Sequence, residues 1–415
     1  MSEASQFASL LFKVAEESNG ENLVLTLGGV PVFVIQDAES AHQVLRRSAA
    51  NFEKNMVWFR QALGPSRFTE NGAEWLVRQK MSQRFLSRFN PHETWLSAQR
   101  LGKQALNAIA SDSASGAPSV SDATLRHLAA GIMLDVFFDR DLNADGIDLE
   151  DIAEMLRFGS EYSFVPEGAL VPFPPDVIRA FLKVRAKVLA DMQVFREGET
   201  PTDGLLDTLR KADADTESNF HLEHEMTMFF AAASETTAAT MGWAMHLLSR
   251  NPGVQEELRE AINRLPREVT WQQIEDLSIL RNFVLEVLRI FPSTPVIARR
   301  AVNAERVGDY QVAAGEQILI SLVGIQHDRR ERENPWEIRL DAPPPHTGSG
   351  HSFSFSLGPR MCGGSRFALF ELMALLFLFV RHASFTPTSD AQPSFRFQTQ
   401  LMHAGGQPVH VSLLP

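Results

Sequence analysis

The chain contains one cysteine, Cys362, so no intramolecular disulfide can form, and its surroundings decide whether the thiol has a chemical task. It lies in Phe355-Ser356-Leu357-Gly358-Pro359-Arg360-Met361-Cys362-Gly363-Gly364, a glycine-punctuated loop leading into an apolar stretch that begins near Arg366. A thiolate needs nearby donors or positive charge, and a loop feeding a helix N-terminus supplies backbone N–H groups and the positive end of a dipole. The glycines let the backbone pass close to a flat ligand. Taken alone, these features suit a buried structural cysteine, or a thiol nucleophile without a cofactor, at least as well.

Two further groups carry charge into apolar surroundings. In FVLEVLRIF, Glu286 and Arg289 stand three apart on an otherwise apolar helix, so neither reaches water easily. Such a pair is read as a structural lock, because losing one partner of a buried ion pair costs about 3–5 kcal/mol. In AASETT, Glu235 and Thr236 fall in the middle of a long apolar helix, where a threonine hydroxyl ordinarily bonds back to a carbonyl one turn earlier.

The cysteine loop is similar to the haem-binding loop of the cytochrome P450 family at Phe355, Gly358, Arg360, Cys362 and Gly364, five positions at fixed spacing. The resemblance implies a mainly α-helical single domain with small β-sheets over residues 1–415, the first ~20 peripheral, binding haem b (iron protoporphyrin IX) through Cys362. It places Arg360 beside a haem propionate and makes Glu286 and Arg289 the family's Glu-x-x-Arg pair. Glu235 and Thr236 become the acid and alcohol that deliver protons to dioxygen, with Ala233 where the family usually has glycine. Arg299 in PVIARRA is the implied propionate arginine of a following strand, and Trp75 in NGAEW an implied donor through its indole N–H. Gln79 stands one turn on, where the family commonly has arginine. The arginine that completes the Glu286–Arg289 network aligns with Ala342, Arg339 being the nearest cation, and that role stays open. The implied apolar pocket takes in Phe229, Ala232, Ala233, Pro295, Val296, Ile297, Leu401, Met402 and part of Phe59 to Phe68.

The activity so implied is insertion of one oxygen atom of O2 into a small apolar organic substrate, with electrons from a separate ferredoxin or flavodoxin. A haem protein for sensing or electron transfer would have no need of the acid–alcohol pair, and a peroxide-driven oxidase would carry arginine and proline there. No phosphate-binding glycine loop or dinucleotide fingerprint occurs, so nothing in the chain binds flavin or NAD by a visible motif. His221 and His224 lie three apart, but no third ligand of metal-site spacing follows.

Several elements must position these residues. Leu23 to Gln36 reads as a hairpin turning at Gly28 and Gly29, and short strands are expected from Arg306 to Leu322 and at the C-terminus. Asn219 to Arg250 reads as one long core-crossing helix stopped by Asn251 and Pro252. Ser111 to Ser119 and Pro343 to Gly350 read as loops. The apolar run Phe367 to Val380 carries Glu371 and is too short to span a bilayer, so it is expected to be a buried helix.

The bulk composition agrees with a globular enzyme: 415 residues, 44% hydrophobic, net charge −12. That charge disfavours nonspecific binding to nucleic acid or anionic membrane, and the absence of a leader pattern points to a cytoplasmic location. One segment departs from it. Between Trp75 and Lys103 the cations Arg78, Lys80, Arg84, Arg88, Arg100 and Lys103 outnumber the single acid Glu93, and the resemblance puts this segment on the cysteine side of the haem, where an acidic carrier docks.

Overall fold

The computed structural model describes residues 3–116, 120, 122–163, 175–215, 219–346, 352–397 and 400–415. Most of the described chain is helical, and the helices pack around a long central one, Leu222–Arg250. Its sequence explains its course. Apolar residues surround it, and most of its hydroxyls bond back within the helix: Ser234 donates to the Phe230 carbonyl at 2.7 Å and Thr240 to that of Thr236 at 2.8 Å. It stops at Asn251, and Pro252 opens the next helix, Pro252–Asn263, where its missing N–H costs nothing.

The apolar run after Cys362 forms the helix Ser365–His382, buried along Phe370 to Val380. Among the described residues no helix is long and apolar enough to cross a membrane. The helices Pro91–Ala114 and Ser278–Ile290 pack against it. Ring contacts such as Trp95 against Phe377, 5.7 Å between centroids, fill the layer between, and each fully buried large side chain contributes roughly 1.5–3 kcal/mol.

The main sheet has five strands in the order Leu23–Leu27, Val30–Ile35, Gln317–Ser321, Val296–Ala301, Phe52–Lys54. The first two form the expected hairpin, and the last two pair antiparallel with Lys54 directly opposite Arg299. The expected short strands are present at Glu305–Val307, Tyr310–Val312, Leu401–His403 and Val409–Leu413.

Two expectations change. The N-terminal helix Glu3–Ser18 is no peripheral segment: Phe7, Leu11, Phe12 and Ala15 belong to the main core, and Phe12 stacks on Phe395 at 4.5 Å. The helix Pro91–Ala114 also runs four residues into the stretch expected to be a loop from Ser111, and ends where Ser115 and Gly116 follow. Residues 117–119 and 347–350 of the two expected loops lie outside the described residues.

Candidate active site

The cysteine loop is closed by its own backbone. The Cys362 N–H donates to the Phe355 carbonyl at 2.7 Å, and Gly358 turns the chain with φ +70° where a β-carbon would overlap the Leu45 carbonyl. Gly364 caps the following helix and donates its N–H to the Cys362 sulfur. Nothing lies within 4 Å of a β-carbon placed on Gly364, whose φ of −97° is ordinary, so no contact among the described residues demands glycine there. Cys362 is enclosed by the protein yet keeps accessible surface, so its sulfur borders an interior space. Burial raises the thiol pKa, opposed by the Gly364 N–H and by the charges of Arg67 and Lys54.

Four cations cluster on this side of the fold: Lys54 and Arg67 act on the sulfur, and Arg299 and Arg360 adjoin Lys54. Lys54 and Arg299 face each other across two strands, an unfavourable pairing of like charges. Arg360 lies over the Trp75 ring at 4.6 Å and donates to Asn71 Oδ1 at 3.0 Å. Asn71 also bonds both ways with the Lys54 backbone, at 3.2 and 3.0 Å, and so fixes loop and strand end together. Arg67 reaches in from the segment before the helix Gly72–Ser87 and donates to Ser82 Oγ at 2.7 Å. Among the described residues none of the four is in an ion pair with a carboxylate. Burial, then Arg360, lowers Arg299 to about 9, and burial, then Arg67, lowers Arg360 to about 10. Burial drives Lys54 well below the usual lysine range.

Arg299 is buried and the other three are partly buried, and cations withdrawn from water without counter-ions are costly, so this cluster fits an anionic ligand. A flat ligand with two carboxylates at one edge and a thiolate-seeking metal at its centre matches the donor set. The sequence pointed to Arg299, Arg360 and Trp75, while Lys54 and Arg67 escaped it. Gln79 is half-buried one turn beyond Trp75 and brings no charge.

The central helix divides its acid and its alcohols among three directions, since successive residues are turned by about 100°. Thr236 shares a face with Ala232, which is exposed in mid-helix, and donates to its carbonyl at 2.7 Å. Thr237 donates to Glu371 Oε2 on the cysteine helix at 2.9 Å, and burial raises Glu371 to about 8. Glu235 turns the other way, to 3.6 Å from Arg126 Nε, and Arg126 in turn pairs with Glu150 at 2.5 Å. The acid and alcohol expected to act side by side therefore lie on different faces.

Glu286 and Arg289 are buried and in contact at 2.8 Å. The third member of their network is Arg332, whose Nη1 donates to Glu286 Oε2 at 2.6 Å. Arg339 is instead an exposed partner of Glu337, and Ala342 has no charge to offer. Arg289 also donates to the carbonyls of Gln326, Pro335 and Glu337, at 3.2, 2.6 and 3.0 Å, so its donors are used.

The pocket residues divide. Ala232, Ala233 and Ile297 are only partly covered or exposed. Phe229 instead packs edge-on against Phe138 at 5.4 Å, and Val296 and Leu401 belong to the main core, where Trp243 donates to the Leu401 carbonyl at 2.7 Å. Pro295 and Met402 are buried. Phe59 and Phe68 meet edge to face at 5.9 Å, with Lys54 Nζ over the Phe68 ring at 4.0 Å.

The basic segment also divides. Arg78 is buried and paired with Glu225 of the central helix at 2.9 Å, so it belongs to no surface, and Arg100 is paired with Asp135 at 2.6 Å. Lys80, Arg84 and Arg88 remain exposed at fourfold spacing, next to the exposed Leu76 and Val77. His221 and His224 meet ring to ring at 5.1 Å, and the described residues contain no cluster able to hold a metal ion.

A helical fold with a lone thiol beside a cluster of cations fits a haem protein with a sulfur ligand. The cytochrome P450 family model matches residues 2–410, and the chain belongs to that family: it is a monooxygenase that uses a haem iron cofactor. Mouse cytochrome P450 4V2 is 26% identical over 418 residues, covering 91% of this chain and 79% of that protein. The Arabidopsis thaliana protein LUTEIN DEFICIENT 5, chloroplastic, is 31% identical over 192 residues, only 44% of this chain and 32% of its own length. The crystal structure of the cytochrome P450DA heme domain superposes with a TM-score of 0.79 at 17% identity, over 98% of this chain and 93% of that one, a likeness of fold.

Proposed function

We propose that Cys362 would ligate the haem iron and that Lys54, Arg299 and Arg360, with Trp75 beneath Arg360, would hold the haem propionates, the whole oxidising a small apolar organic substrate. The observation that carries this is the cluster of cations without carboxylate partners, Arg299 buried and Lys54 and Arg360 partly buried, beside the single thiol. The haem, when bound, supplies the oxygen-activating chemistry by which one atom of O2 enters substrate and the other leaves as water. Ala232, Ala233 and Ile297, with Phe59 and Phe68, form the apolar wall; they orient substrate and exclude water. Thr236 Oγ1, on the same helix face as Ala232, holds the proton needed there. Glu235 resupplies it only when its contact with Arg126 opens. A ferrous carbonyl absorption spectrum of thiolate type tests the ligand assignment directly.

Thr236→Ala is expected to bind haem and substrate normally but to divert electrons to peroxide, because no other hydroxyl on the central helix shares the Ala232 face at that depth. Product formed per reduced nicotinamide consumed should fall by roughly an order of magnitude or more, the usual weight of a positioned proton donor. Unchanged coupling, with Thr237→Ala added to exclude substitution by its neighbour, removes Thr236 from the chemistry.

Electrons come, in this reading, from a separate acidic ferredoxin or flavodoxin docking on the stripe Lys80, Arg84 and Arg88. A protein of net charge −12 repels an acidic carrier unless positive charge is concentrated where it lands. Reversing all three to glutamate should slow reduction by such a carrier at low salt, remove most of the salt dependence seen in the wild type, and leave substrate affinity unchanged. Equal reduction rates at low salt would move the docking site elsewhere.

A further inference from the structure

Gln79 leaves the helix Gly72–Ser87 without a cation one turn beyond Trp75, yet a cation sits nearby from another source. Arg67 spans from the preceding segment to this helix, donating from Nη1 to Ser82 Oγ at 2.7 Å and from Nη2 to Gln83 Oε1. Gln83 completes the clamp by donating to the Gly363 carbonyl at 3.3 Å. The Arg67 backbone is held as well, its N–H donating to Glu225 Oε1 at 3.0 Å, so the side chain starts from a fixed point. The guanidinium passes directly over Gly363, the residue next to Cys362. A β-carbon on Gly363 would overlap Arg67 Nη2 and stand 2.9 Å from Gln83 Oε1. Gly363 lies outside the five loop positions that carry the family resemblance, and its φ lies outside the left-handed region. A side chain there would therefore meet the arginine rather than the backbone.

We infer that Arg67 is a positioning residue for the Cys362 thiolate: clamped by Ser82 and Gln83 over Gly363, it holds a positive charge beside the sulfur. This rests on the assignment of Cys362 as the iron ligand. A fixed cation beside the ligand stabilises the reduced, more negative state of the centre, and in a site screened from water that effect is large. The charge acts by position, so two different substitutions must produce the same change. Arg67→Ala removes the charge. Gly363→Ala keeps it but pushes it off its seat.

The measurement is the midpoint potential of the ferric/ferrous couple in substrate-free holoenzyme, together with the fraction of the ferrous carbonyl complex that shows a thiolate-type band. Arg67→Ala should shift the potential to more negative values, and Gly363→Ala should shift it the same way. In the double variant Gly363→Ala should add nothing, because the group it collides with is gone, a non-additivity expected only of groups in contact. Arg67→Lys keeps the charge but cannot reproduce the fork to Ser82 and Gln83, so it should recover only part of the wild-type potential, whereas a purely structural role would leave it as low as in Arg67→Ala. Unchanged potential in Arg67→Ala, or additive shifts in the double variant, overturns the inference. A wild-type protein without the thiolate-type band would instead overturn the ligand assignment, so the two failures are told apart.

Discussion

Cys362→Ser is expected to keep the fold and lose the thiolate-type spectrum, with turnover down by at least about 10²-fold, the scale on which loss of one key electrostatic contributor acts. The fold survives because the loop is held without the sulfur: the Cys362 N–H bond to Phe355 and the Gly358 turn are backbone features. The chemistry does not survive, since a serine hydroxyl stays protonated where a thiol ionises, even with the Gly364 N–H, Arg67 and Lys54 all favouring an anion. Thiolate donation is what favours O–O cleavage. Haem still enters this variant, because Lys54, Arg299 and Arg360 are untouched, so the comparison is made at equal haem content. A thiolate-type carbonyl spectrum in Cys362→Ser would sink the assignment of the ligand.

Glu286→Ala should be the most damaging single change to stability. Glu286 is fully buried and its Oε2 accepts from both Arg289 and Arg332, at 2.8 and 2.6 Å. Removing it leaves two buried guanidiniums with carbonyl partners but no anion, a loss of about 3–5 kcal/mol or more. Natural stability is only about 5–15 kcal/mol, so much of the protein should be misfolded or haem-free. Urea unfolding and haem content per chain measure this. Arg332→Ala should be nearly as severe, whereas Arg339→Ala, at an exposed pair with Glu337, should stay within about 0.5 kcal/mol of the wild type. Comparable losses from Arg332→Ala and Arg339→Ala would show that the network has been assigned to the wrong arginine.

The arginines show why one part of the network was legible in the sequence and another was not. Glu286 and Arg289 are three residues apart on a helix, so their meeting is dictated by local geometry, and their apolar flanks dictate burial. Arg332 lies 46 residues from Glu286 and reaches it through the path of an irregular segment that no periodicity describes. Alignment by spacing led to Ala342 instead. Arg78 carries the same lesson in reverse. Counted along the chain it joins a basic run, but the rotation of its helix turns it inward onto Glu225, where burial raises that carboxyl to about 7.

By itself the sequence determined the long helices, through apolar runs of helical period and breakers such as Asn251-Pro252, and it pointed to the class of chemistry through the resemblance carried by five positions of the cysteine loop. Tertiary structure alone decided which further charges the site contains beyond Arg299 and Arg360. Lys54 faces Arg299 only because two strands pair in one register, Arg67 meets Gly363 across nearly three hundred residues, and Glu235 turns from Thr236 to Arg126 because the central helix has a fixed orientation in the core. Electrostatic interactions depend on distance in space and on burial, and neither is a function of position along the chain.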